Sequence, residues 1–113
     1  MFRLTGMDGS DVHVKADTIV SVRPPLPLEA PAGAAIEYTG RVLLTPEAVA
    51  AVIGRMGGQP KLIELTRPDG SVVHVAAGAI TQVRRDGGGT EITYAGRAHL
   101  VTESVAAVLA LLP

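Results

Sequence analysis

The chain has 113 residues, 47% of them hydrophobic and 19% charged, which fits one globular domain and argues against disorder. Ten basic residues against eleven acidic ones leave a net charge of −1, and the only aromatics are Phe2, Tyr38 and Tyr94. That gives no electrostatic drive toward nucleic acid or an anionic membrane, and the lack of Cys excludes disulfides, thiol catalysis and Cys-based zinc sites. No basic and apolar leader follows Met1, and the longest helix-like apolar segment, near residues 105–112, spans about 12 Å against a hydrocarbon core of about 30 Å. A cytoplasmic protein without membrane insertion is expected.

Leu4 lies in a short alternating run read as a first strand. Met7-Asp8-Gly9-Ser10 is a turn signal, Val12-His13-Val14 a second strand, and Ile19–Arg23 a third. Pro24–Ala35 holds four prolines and reads as a loop. Ile36–Tyr38, Thr39-Gly40 and Arg41–Leu44 form a tight hairpin. A helix is expected over residues 46–56. Thr45 is its candidate N-cap, Pro46 its first residue, and Val49, Val52, Ile53 and Met56 its apolar stripe. Residues 57–61 make a linker in which Gly57 ends the helix and Pro60 bars its continuation.

The same order then returns. Phe2–Arg23 placed on Ile63–Arg84 matches at 12 of 22 positions, and Ile36–Ile53 placed on Ile92–Leu109 matches at 10 of 18. The second copy, residues 62–113, carries Pro68-Asp69-Gly70-Ser71 as its turn and Val73-His74-Val75 and Ile80–Arg84 as strands. Arg85–Glu91 reads as a glycine-rich flexible loop and Ala95-Gly96 as a hairpin turn. The closing helix is expected over 103–112 with Thr102 as cap. Each copy of about 50 residues is marginal alone. The expected fold is therefore α+β: two tandem repeats of about five short antiparallel strands and one C-terminal helix. They should pack as a pseudo-two-fold pair around one core, forming one cooperative domain from repeat 1 (1–56) and repeat 2 (62–113).

Few residues suggest chemistry. His13 and His74 occupy equivalent mid-strand positions and should point outward, but no further ligand accompanies either, so no metal site is expected. Asp8 and Asp69 are explained by turn geometry, and Ser10 and Ser71 lack a nucleophile elbow. Gly87-Gly88-Gly89 lacks the Lys-Ser/Thr of a phosphate loop. His99 stands where the first copy has Leu43, a solitary substitution. Arg41 and Arg97 each follow a hairpin glycine, while Arg23, Arg84 and Arg85 end the third strands. If these ends meet, two Arg clusters would form an anion or acidic-partner patch. Ordinary pairing with Glu37, Glu91, Glu47 or Glu103 is the plainer reading.

The second copy resembles the FlbD family of small flagellar proteins. The likeness rests on Leu62-Ile63-Glu64-Leu65-Thr66-Arg67-Pro68-Asp69-Gly70, Ile80-Thr81-Gln82-Val83, Glu91-Ile92-Thr93-Tyr94-Ala95-Gly96-Arg97 and Leu100-Val101-Thr102-Glu103-Ser104-Val105. It covers nearly all of one copy and, more weakly, the other. Family members resemble a single copy, the turn Asn is Asp69 here, and their basic C-terminal tail is missing. The resemblance implies a motility-associated, non-enzymatic protein with no catalytic residues to carry over. The expectation is thus a non-catalytic interaction or structural module without cofactor, with a protein partner, room for a homo-oligomer, and an interaction surface drawn from Arg23, Arg41, Arg84, Arg85, Arg97, His13 and His74. The alternatives are a small nucleic-acid-binding protein using the Arg patch, and a metal-dependent enzyme using the two histidines.

Overall fold

In the computed structural model, described for residues 1–38 and 40–113, short alternating segments fold as strands and the two apolar stripes as helices. Strands β1 (Phe2–Thr5) and β2 (Asp11–Val14) form a hairpin around the Asp8-Gly9-Ser10 turn. A 3-10 turn at Ala16–Thr18 leads to β3 (Ile19–Arg23), β4 (Ala34–Tyr38) and β5 (Arg41–Thr45), then α1 (Val49–Met56). The order recurs as hairpin β6 (Leu62–Thr66) and β7 (Val72–Ala76), a 3-10 turn at Ala77–Ala79, strands β8 (Ile80–Asp86), β9 (Gly89–Tyr94) and β10 (Arg97–Val101), and α2 (Val105–Leu111). Even the irregularities recur: the β3–β4 register slips between Ile19 and Ser21, and the β8–β9 register between Ile80 and Gln82.

All strand pairs are antiparallel. They assemble into a five-stranded sheet ordered β5-β4-β3-β7-β6, a three-stranded sheet β10-β9-β8, and the separate hairpin β1-β2. The seam between the halves is thus β3 against β7, with Ser21 opposite Val75 and Val22 opposite His74. Residues directly opposite share a face, which sorts the central sheet. Ile36, Val22 and Leu43 face α1 and the first hairpin. Glu37, Ser21, Val75 and Ile63 face the other way, toward β9 and α2.

The buried side chains gather in two clusters rather than the one shared core expected. The first holds Leu4, Val14, Ile19, Val22, Ile36, Val52 and Met56, and the second Ile63, Leu65, Val73, Val75, Ile92, Tyr94, Val101 and Val108. The central sheet divides them, because alternate residues of each strand go to opposite faces. Each cluster borrows one residue across the seam, Leu62 for the first and Val20 for the second. The radius of gyration, 13.9 Å, is close to the roughly 13 Å of a compact chain of about 100 residues, so the two layers pack closely.

Three local expectations need correction. Both helices begin later than read, at Val49 and Val105. Thr45 does not cap α1: it is the buried last residue of β5, opposite Ala34, and its carbonyl accepts the Gly33 N–H at 2.7 Å. The strand ladder holds Thr45 more firmly than a cap would, and Pro46 and Glu47 become a bend ahead of the helix. That bend comes so close to Gly33 that a Cβ there would sit 2.5 Å from the Pro46 and Glu47 carbonyls, so only glycine fits. Ser104, not Thr102, caps α2, its Oγ accepting the Ala107 N–H at 3.1 Å. Finally, Arg85–Glu91 is not a loop. β8 and β9 run through it as a hairpin, Asp86 opposite Gly89, turning on Gly87-Gly88. Gly57 ends α1 with φ +70°, as read. Of the two equivalent hairpin turns, Ala95 and Gly96 both take positive φ, while Thr39 of the first lies outside the described residues.

Candidate functional site

The prolines after β3 make a 3-10 turn, Pro27–Glu29, in the stretch where the first copy is longer than the second. That turn aims Glu29 back at the end of β3. Arg23 Nη1 and Nη2 donate to Glu29 Oε1 and Oε2 at 2.6 and 3.0 Å, a bidentate pair, and Glu29 Oε1 also accepts the Leu26 N–H at 2.7 Å. Arg23 Nε lies 3.8 Å from Glu37 Oε1, the oxygen to which the fully buried Ser21 hydroxyl donates. The Arg23 side chain is only 7% exposed, so this guanidinium is part of the first half's buried framework and not of a surface patch. Its side-chain bond to Glu29 holds the guanidinium above and the Glu29 carboxyl below their ordinary values, each against the opposing effect of burial.

The second half meets this network with Tyr94 and His99. Their rings stack with centroids 4.0 Å apart and planes 10° from parallel. Tyr94 is 1% exposed, and burial, reinforced by Glu37, pushes its hydroxyl pKa up. Burial pushes His99 down, outweighing the opposite pull of Glu37. Among the described residues, His99 Nε2 is buried without a hydrogen-bond partner. The sequence signal for His99 was its departure from Leu43 in the repeat. The signal for Glu29 was a lone acid in an otherwise apolar, proline-rich stretch, six residues beyond Arg23.

The remaining sequence candidates are dispersed. Arg84, a repeat counterpart of Arg23, is exposed and donates to Glu91 at 2.9 and 3.2 Å. Arg85 is exposed beside the Gly87-Gly88 turn and the start of α2. Arg41 and Arg97, from the two equivalent hairpins, line one shallow groove of about 110 Å³ with Glu37, Tyr38, Gly40 and Val20. The structure thus joins Arg41 with Arg97 but not with Arg23, Arg84 or Arg85, because Arg41 lies opposite Tyr38 and Arg97 opposite Tyr94, at the other end of the strands from Arg23 opposite Ala35 and Arg84 opposite Glu91. His13 is exposed on β2, whereas His74 is partly buried on β7, Nε2 3.3 Å from Glu64 Oε1 and Nδ1 without a partner among the described residues.

Other acidic groups serve the framework. Asp8 and Asp69 each accept the backbone N–H and hydroxyl of the serine two residues on, and the hydroxyl bond is the main cause that lowers each carboxyl. Glu47 accepts the Thr5 N–H at 2.8 Å, and Glu103 accepts the Thr66 N–H at 2.9 Å, tying each helix entry to the first strand of its half. Among the described residues, no three His, Cys, Asp or Glu side chains group closely enough for a metal ion, and no helix is long and apolar enough to cross a membrane.

No family model, curated protein or solved structure matches the chain.

Proposed function

We propose that this chain is a non-catalytic protein-interaction module built from two related halves, working from the paired hairpin tips. The observation that carries the reading is the groove that Arg41 and Arg97, exposed residues of equivalent hairpins, line together with Tyr38. The titratable groups elsewhere favour the same reading, because Arg23, Glu29, Glu47, Glu103, Asp8 and Asp69 are engaged in holding turns, helix entries and the seam. Two exposed cations lining one groove suit an acidic segment of a protein partner better than a duplex, which needs a longer basic track. The repeated element order and repeated bulge support a pseudo-two-fold pair, and the shared β3–β7 ladder supports folding as one cooperative domain. The likeness of the second half to FlbD proteins suggests a motility-associated, cytoplasmic setting. In this reading the protein uses no cofactor or metal and binds no nucleic acid.

The test is cross-linking mass spectrometry in the source cells with wild type and the Arg41→Glu/Arg97→Glu variant. A partner cross-linked at the hairpin tips of wild type, through an acidic segment, and lost from the variant supports the reading. The same cross-links from both proteins would contradict it.

A further inference from the structure

The seam between the halves uses only one of two equivalent pairs of strand edges. β3 lies along β7, Ser21 opposite Val75 and Val22 opposite His74. Carried through the repeat, Ser21 and Val22 correspond to Gln82 and Val83 on β8, and Val75 and His74 to Val14 and His13 on β2. The matching ladder would set Gln82 opposite Val14 and Val83 opposite His13. Among the described residues it does not form within the chain: β8 pairs with β9 alone, and β2 with β1 alone. The contrast in exposure follows. Ser21 and Val22 are fully buried, whereas their counterparts Gln82 and Val83 are exposed and partly buried; Val14 is buried like Val75, but His13 is exposed where His74 is partly buried.

We propose that β8 of one molecule pairs antiparallel with β2 of a second copy of this chain, reproducing between molecules the β3–β7 seam formed within each. Two observations select a second copy as the occupant. The first is that three of the four residues in the β3–β7 ladder recur on these two edges, Val22 as Val83, His74 as His13 and Val75 as Val14, while Ser21 becomes Gln82. Both edges also keep a row of backbone donors and acceptors unmatched on their outer side, the ordinary template for strand addition. The second is charge. Continuing the ladder two residues beyond Val83–His13 brings Arg85 opposite Asp11, an opposite-charge pair on one face. Both side chains are exposed, and among the described residues Asp11 is held only by Arg3 at 3.9 Å, with the Arg3 and Asp11 side chains both more than half exposed. Because each molecule offers one β8 and one β2, a closed dimer would match both edges of both copies. The contact involves neither Arg41 nor Arg97, so it stands apart from the hairpin-tip reading.

The experiment is sedimentation equilibrium on wild type, Arg85→Glu, Asp11→Arg, and an equimolar mixture of the two variants. Wild type should associate reversibly with concentration. Each variant sets like charges opposite one another at both joints, and should dissociate more readily by roughly tenfold or more. In the mixture, the glutamate introduced at position 85 of one variant meets the arginine introduced at position 11 of the other. At the second joint the unaltered Arg85 and Asp11 meet, so association should return to the wild-type level. Recovery on mixing cannot come from a joint closed within one chain. A wild type that stays monomeric up to about 1 mM would overturn the proposal. So would association indifferent to both charge reversals, or variants that fail to recover on mixing.

Discussion

Strands β3 and β8 share Ile, Val and Arg at equivalent positions and the same register slip, yet they end in different surroundings. Arg23 closes β3 beneath the Pro27–Glu29 turn, clamped by Glu29 and 7% exposed at its side chain. Arg84 on β8 is 60% exposed and meets Glu91 across the hairpin. Two causes separate them. The first half has extra residues after its third strand, and these supply Glu29. The second half has only the Gly87-Gly88 turn, so β8 and β9 run on as a bare hairpin. The free edge of β3 is also covered by β7, whereas the equivalent edge of β8 is not. A repeated sequence therefore fixes a repeated local structure, while burial and charge pairing depend on what each copy packs against.

The comparison can be broken most forcefully where the halves agree. Val52 and Val108 are equivalent, and both are fully buried. Val52→Asp or Val108→Asp places an unpaired carboxylate in one cluster and should cost several kcal/mol, a large part of an ordinary domain's stability. Chemical denaturation checks it. Near-wild-type stability for either variant would mean that its helix does not bury this stripe.

The next test bears on where the halves differ. Arg23→Ala strands the Glu29 and Glu37 carboxylates under the proline-rich turn and should destabilise the fold by roughly 3 kcal/mol. Arg84→Ala should leave the melting temperature nearly unchanged, since that pair is open to solvent. The Arg23 effect should also depend on acid. The folded-state pKa of Glu29 is depressed, so the pair's contribution is present above the unfolded carboxyl value of about 4.3 and is lost as pH falls through the folded value. Wild type should therefore lose its advantage over Arg23→Ala at low pH. Equal destabilisation by the two Arg variants would show that the clamp does not distinguish them.

A smaller effect is expected from His99→Leu, which installs the residue that the first half carries at Leu43. Burial depresses His99, so its contribution is full above the unfolded value of about 6.5 and is lost as pH falls through the folded value. The variant should match or slightly exceed wild-type stability at pH 8. It should also lose less stability between about pH 7 and 5. Thermal melts across that range decide the matter, and parallel pH profiles would place His99 in water.

Much of this architecture was legible in the chain. The Asp-Gly-Ser turns, the alternating valines and the apolar stripes act over a few residues, where turn geometry and periodicity decide the outcome. The late helix starts were not legible, because Thr45 satisfies the rule for a cap and the ladder of β5 equally well locally. The seam was not legible either. Nothing in Val22 or His74 announces that these two strands pair while their counterparts do not, since strand pairing is a long-range choice. Pairing of Arg23 was legible, but its bidentate partner Glu29 was not, because Glu29 lies in a segment whose prolines suggest only a loop.

The central claim is that the β3 edge is sealed while the β8 edge is open in a single molecule. Hydrogen–deuterium exchange at high dilution, resolved to the segments 20–23 and 81–84, tests it most directly. Protection should be strong across 20–23, where β4 and β7 flank the strand, and markedly weaker across 81–84, where among the described residues β9 alone does. Equal protection of the two segments at high dilution would contradict it.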